Sequence, residues 1–322
     1  MFAIGQAQLQ EKGCAAYTYL LHGSEPYIRA PFYQFSEQRS DTWNNTHMNV
    51  QTQAAFPFLT GYGGYLQVFT HGFTGMRPKA DALFLDPVMV PQIPQGVTLK
   101  GVKYQGATFD IQIGLVNTTI TRCDDVGKVS SGSNGPMTVR IGGRASMPGD
   151  YPLLRGESLT VPTRRPDLNG TVIEGNLVQC RPVTSDEKYV PGNLPLSVVD
   201  GSNATLWQPA SPQEASITLD IGRVTPIKGM SINWGRTPPQ SFRVSASSES
   251  REEYEEIFWM KKVEISAPYK AEDVKIVRIK QGNETSIRFK GEYQARYVRL
   301  TMEGTLGNDK SVGATVAEIA VL

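Results

Sequence analysis

Apolar and polar positions alternate in three ways along this chain, and each way predicts a different kind of element. Residues 1–22, MFAIGQAQLQEKGCAAYTYLLH, are apolar and periodic from the outset with no N-capping residue ahead of Phe2, which reads as a helix entered midway. From 15 to 21 the apolar and aromatic positions cover most of the helix circumference. Such a helix is buried on both sides, and something outside this segment should cover it. Residues 22–49 carry Pro26, Pro31 and a polar tract from 39 to 49, and predict a loop of over about 20 residues, a length that is usually functional or disordered. A second apolar helix follows from 59 to 75, with Gly61, Gly63 and Gly64 at its start.

Beyond Arg77 the period shortens. Runs at 82–94, 97–104, 107–115 and 138–141 are β-rich and separated by Gly and Pro, which predicts a small β-sandwich over 78–172 with an exposed turn at 128–136 around SSGSNGP. Residues 173–196 lack periodicity and include Pro182, Pro191 and Pro195, so they read as a linker. Strict alternation at 216–221, 228–234 and 297–302 marks half-buried antiparallel strands of a further β domain over 197–322. The charged run 249–256 reads as a solvated turn or short helix. The expected fold is therefore mixed and mainly β, with helices confined to 1–77.

Composition changes this picture mainly by exclusion. The chain has 322 residues, and Lys+Arg number 32 against Asp+Glu 31, so no net field points to nucleic acid or an anionic membrane. No apolar run approaches the ~20 residues of a membrane span, and residues after Met1 carry no signal-peptide pattern. Cys14, Cys123 and Cys180 are too scattered for a disulfide framework or zinc site, although a Cys123–Cys180 bridge is open. His22, His47 and His71 lack ligand spacing, so no metal and no cofactor is assigned. Sequons begin at Asn44, Asn117, Asn169, Asn203 and Asn283, where about two would arise by chance. Their number favours a secreted, cell-wall or vacuolar glycoprotein.

The stretch 31–77 concentrates the candidate chemistry. Phe32, Tyr33 and Phe35 flank Glu37, so its carboxylate is expected to be partly desolvated, with a pKa raised toward the working pH, among rings that suit the C–H faces of pyranoses. Glu37 thus reads as a catalytic carboxylate, or as a surface residue paired with Arg39 or Arg29. Glu25 is its rival. Gln38, Thr60 and the backbone of Gly61, Gly63 and Gly64 are candidate sugar-hydroxyl contacts, the glycines serving either ligand approach or close helix packing. Trp207 and Trp234 form either a glycan platform or part of a core.

With APFYQFSEQ (30–38), AAFPFLTGYGGYLQVFTHGFTGMR (54–77) and DALFLDPVMVPQIPQGVTLKGVKYQG (81–106), the chain resembles the fungal acid trehalases, members of the glycoside hydrolase family that also holds trehalose and maltose phosphorylases. Residues 198–322, through DGSNATLWQP, ITLDIG, YVRL and AEIAVL, resemble the discoidin or coagulation-factor C-type jelly roll. The first resemblance implies that 1–77 are the last helices and active-site loop of an (α/α)6 toroid whose roughly twelve helices cannot fit there. It implies an inverting hydrolysis of trehalose with Glu37 as general base, the general acid lying in an N-terminal catalytic segment outside these residues. The second implies loops presented to glycans or the cell wall and, in some members, a calcium ion near an Asp such as Asp200. Two other readings stand beside this one: a non-catalytic glycan-binding or wall-associated module, and a sibling α-glucosidase or phosphorylase. Glu37 argues against the phosphorylase, because a carboxylate repels phosphate.

Overall fold

The computed structural model describes residues 1–39, 42–45, 50–123, 135–164, 170–263, 283–307 and 310–322. Most of the turn expected at 128–136 and the sequon at Asn169 lie outside the described residues. The chain divides into two compact units, Met1–Pro166 and Asp167–Leu322.

In the first unit the single helix expected over 1–22 is two helices, α1 (Phe2–Leu9) and α2 (Ala15–His22). The break falls at 10–14, where Gly13 takes φ +88°, a conformation that stops a helix cheaply only at glycine. Gln10 Oε1 then accepts the Ala15 N–H at 3.1 Å and satisfies one orphan donor of α2. Within the loop expected at 22–49, the described residues include paired strands. Strands β1 (Ile28–Arg29) and β2 (Gln34–Phe35) pair antiparallel, as do β3 (Thr42–Asn45) and β4 (Val50–Gln53), whose Thr, Val and Trp residues are good strand formers. The helix expected to reach 75 is α3 (Leu59–Gln67), which widens into a π-helical turn over Val68–Phe73.

The sandwich follows as two four-stranded sheets. One joins β5 (Arg77–Pro78), β6 (Leu83–Leu85), β10 (Met137–Ile141) and β11 (Gly149–Leu153) in the order β11-β10-β6-β5. The other runs β12-β9-β8-β7, from β7 (Val97–Tyr104), β8 (Ala107–Ile113), β9 (Asn117–Cys123) and β12 (Ser158–Pro162). Helices and sheets share one core, in which Ala3, Ala7, Ala16, Leu20 and Phe73 cluster with Phe109, Ile111, Ile120, Val139 and Val161. Read from sequence, 1–77 and 78–172 look like separate domains; three short helices are too few to enclose a core alone. Half-buried Arg164 ties the layers, bonding Asp86 and, at 3.2 Å, the Ala7 carbonyl of α1.

The second unit is a six-stranded sheet in the order β13-β14-β17-β15-β16, with β18 on β14: β13 (Val183–Thr184), β14 (Ala215–Asn233), β15 (Ser241–Ser247), β16 (Glu255–Met260), β17 (Glu284–Glu303) and β18 (Glu318–Val321). The charged run at 249–256 is mostly exposed turn and leads into β16. Residues 173–196 are packed rather than a linker. Val183–Thr184 pairs with Leu219 and Thr218, Val178 and Leu194 are buried, and the Cys180 N–H donates to Val199 O at 2.7 Å. Irregularly spaced apolar residues bury themselves here without an alternating pattern to announce it. Cys123 is not in a disulfide, which overturns the bridge to Cys180.

Candidate functional site

Glu37 is held from two sides by backbone. The Ser36 N–H donates to Tyr27 O at 2.8 Å, the Glu37 N–H to Ala55 O at 3.1 Å, and the Phe58 N–H to Phe35 O at 2.7 Å. One carboxylate oxygen, Oε2, accepts the Ala55 N–H at 3.1 Å. The side chain is exposed, and neither Arg29 nor Arg39 pairs with it among the described residues. Arg29 instead spends its guanidinium on the carbonyls of Pro26, Gln38 and Arg39, while Arg39 reaches His22 Nε2 at 3.4 Å.

The desolvation expected around Glu37 is not found. Phe32 and Tyr33 are 80% and 71% exposed, and Phe35 is buried. Tyr33 sits at φ +52°, an uncommon conformation for a bulky residue, at the tip between β1 and β2. Two rings and a carboxylate within 32–37 therefore stand open to solvent and form the exposed rim of this stretch. Glu25 is also exposed, at the start of a 3₁₀ turn.

Below the rim lies an aromatic ladder. Phe35 packs on Tyr62 and Tyr65 with centroids 5.1 and 5.7 Å apart, and Tyr65, Phe69 and Phe73 continue at 5.3 and 5.8 Å. Its members recur at helical spacing, so the signal was present in the sequence. Gly61 is the contact point: a Cβ there would meet Phe35 and Phe58 at 3.1 Å, so this glycine serves close packing. Gly63 and Gly64 are exposed with open space at their Cα atoms, and Thr60 is exposed. Gly61 and Gly64 line a cleft of about 240 Å³ with Phe2, Tyr19, His22 and Tyr65. Glu37 is not among its lining residues. Gln38 is half-buried, with its Oε1 enclosed and unpartnered among the described residues.

The glycan platform is overturned. Trp207 and Trp234 are both 0% exposed and belong to the second unit's core, so neither can offer a ring face to a sugar. Trp234 Nε1 donates to Thr285 Oγ1 at 2.8 Å, and its ring lies 5.2 Å from that of Phe242.

The sequence reading left a different pair unassigned. Asp200 and Glu318 are buried, and Glu318 has one oxygen, Oε1, without a partner among the described residues. Its Oε2 accepts the Gly201 N–H at 3.1 Å, while Asp200 accepts the Ser202 N–H and the Thr205 hydroxyl, each at 2.8 Å. Burial, and then the Asp200 charge, push the Glu318 carboxyl well above its ordinary range. Glu318 lies at an inward position of AEIAVL, where alternation alone predicts an apolar residue. A buried acid there was the available signal.

Comparison with known proteins shows what the chain as a whole is similar to. Residues 182–319 match the F5/8 type C domain family. The acid trehalase of Emericella nidulans is 32% identical over all of this chain and 33% of its own length. The cell wall acid trehalase of Arthroderma benhamiae is likewise 32% identical, over all of this chain and 34% of its own length. A periplasmic acid trehalase of Saccharomyces cerevisiae is 30% identical over 80% of this chain and 24% of its length. Among solved structures, a chitosan-binding module from Paenibacillus sp. IK-5 aligns with 46% of this chain and 99% of its own, at 18% identity and a TM-score of 0.37. The chain is similar along its whole length to the acid trehalases, spans about a third of the length of the curated relatives it matches, and matches the F5/8 type C domain family over 182–319 of its second unit.

Proposed function

We propose that this chain is the C-terminal portion of a secreted or cell-wall acid α,α-trehalase that inverts at the anomeric carbon. Residues 1–77 form one wall of an (α/α)6 active site and Glu37 is the general base. The observation that carries this reading is the match to acid trehalases over the whole chain, the Glu37 segment included. The exposed apolar residues of the helices agree with it: Phe2 and Leu59 are each 75% exposed and Leu9 70%, a surface suited to cover by further helices.

The proton bookkeeping assigns the roles. Water attacks the anomeric carbon opposite the scissile oxygen as Glu37 takes its proton, and an acid contributed from outside this chain protonates the leaving oxygen. The two carboxyls of such a pair stand about 6.5–9.5 Å apart to admit the water. Glu37 is fixed for its part, because the Ala55 N–H holds one oxygen and leaves the other open. This chain alone is inactive for want of the acid. Proton NMR of trehalose consumed by a protein of the relatives' length tests the reading: each turnover should release one β- and one α-glucose. Release of α-glucose alone, or no consumption, would overturn it.

The second unit contributes glycan or wall contact in this reading, and its buried acid pair fits a hard cation such as calcium. Asp200 and Glu318 supply charged oxygens, and the unpartnered Oε1 of Glu318 is a ready ligand. When bound, the ion would neutralise two carboxylates that otherwise repel. Calcium at about 100 times its Kd should stabilise the unit by ~2.7 kcal/mol, visible as a rise in Tm that chelation reverses. In the Glu318→Gln variant that rise should disappear. A calcium-independent Tm in the unsubstituted protein would assign the neutralisation to a proton instead.

A further inference from the structure

The structure sorts the sequons by what their side chains already do. Asn117 is exposed at the first position of β9, and its side-chain amide makes no bond among the described residues. Asn203 is exposed as well. Its Oδ1 accepts from Asn233 Nδ2 at 3.1 Å, which fixes the amide plane and leaves Nδ2 without a partner among the described residues. Asn283 differs in every respect. It is half-buried, its Nδ2 donates to Gly235 O at 2.6 Å, and its carbonyl accepts the Trp234 N–H at 2.8 Å. Its sequon hydroxyl, Thr285 Oγ1, is buried as the acceptor for the Trp234 indole.

We propose that Asn117 and Asn203 carry N-linked glycans in the mature protein and that Asn283 does not, an inference that rests on the secreted reading. In the transfer, the amide nitrogen attacks the anomeric carbon of a lipid-linked oligosaccharide. The C–N bond forms, the bond to the lipid pyrophosphate breaks, the pyrophosphate leaves with its electron pair, and the nitrogen gives up one proton. Transfer precedes folding, so the fold decides which modified chains reach the native state. A sugar on Asn117 or Asn203 projects into solvent. On Asn283 it would be attached to the nitrogen that closes the bend onto Gly235 beneath Trp234.

Asn203 also stands on the rim of a cleft of about 180 Å³, lined by Val172, Ile173, Ser231 and Glu284 among others. Val172 is exposed there, and the apolar face of the innermost sugar can cover it. The Asn203 glycan thus lies against the mouth of the cleft that Glu318 also lines. Thr205 serves both chemistries, as the sequon hydroxyl and as the donor to Asp200 at 2.8 Å.

The test is site occupancy in the full protein expressed by a secreting fungal host. Enzymatic deglycosylation in heavy-oxygen water marks each formerly glycosylated Asn as Asp, read by peptide mass spectrometry. Asn117 and Asn203 should be marked in most molecules and Asn283 in few. Asn203→Gln should remove one glycan's mass, whereas Thr205→Ser, which keeps the sequon and a hydroxyl for Asp200, should retain it. A bare Asn203 or Asn117, or a fully marked Asn283, in protein recovered from the medium or wall overturns the proposal alone. Unmarked sequons in protein retained inside the cell would instead overturn the secreted reading, and the proposal with it.

Discussion

If Glu37 is the general base proposed above, replacing it by Gln in a protein of the relatives' length is expected to lower kcat on trehalose by about 10²–10⁴-fold while KM stays within a few-fold. On that reading the substitution removes the proton acceptor and little else. An amide oxygen can still accept the Ala55 N–H that Glu37 Oε2 now accepts at 3.1 Å, and the exposed side chain leaves no cavity. Because the lost interaction strengthens only as water begins to transfer its proton, kcat and kcat/KM should fall together. Glu25→Gln is the matched control, since Glu25 is an exposed carboxylate in the same unit. Its activity should stay near the parent's. If Glu25→Gln is the crippled variant and Glu37→Gln is not, the base has been assigned to the wrong acid. If both remain active, the water is activated from outside residues 1–77.

How much of this was legible in the sequence depends on whether the physics was local. Period-two alternation found β14 and β17 because sheet packing repeats every second residue, whereas β7 and β8 were found as β-rich runs bounded by Gly and Pro. Helix breaks were harder. Nothing in 1–22 except Gly13 hints that the helix stops and restarts, and a lone glycine in an apolar run is an ambiguous mark. The packing of 173–196 was not legible at all, because Val178 and Leu194 are buried by contacts distant in sequence and without a period. The site divides along the same line. Aromatics beside Glu37 suggested desolvation, but adjacency in sequence does not fix direction: Phe35 turns inward onto Tyr62 and Tyr65, while Phe32 and Tyr33 stand in solvent. Gly61 was recognised as a point of close approach, and only the fold shows that Phe35 is what approaches. The Asp200–Glu318 pair joins residues over a hundred positions apart, so no window of sequence contains both.

The tryptophans give the sharpest separation between the two readings of the second unit. As a core residue, Trp234 should cost about 3–5 kcal/mol when truncated to Ala, because the cavity cannot be filled by the Phe242 ring 5.2 Å away without disturbing its own contact with Phe258. For a unit of this size that corresponds to a fall in Tm of roughly 6–20 °C, measurable by calorimetry. A glycan platform would behave oppositely, losing sugar affinity with Tm unchanged. The indole nitrogens refine the test. Trp234 Nε1 is bonded to Thr285 Oγ1, so Thr285→Val strands a buried donor and should cost about 1–3 kcal/mol. Trp207 Nε1 is buried with no partner among the described residues. Trp207→Phe therefore discards no hydrogen bond, and its cost should come from lost volume alone. A Thr285→Val protein as stable as its parent would show that the Trp234 hydrogen bond contributes nothing to holding this core.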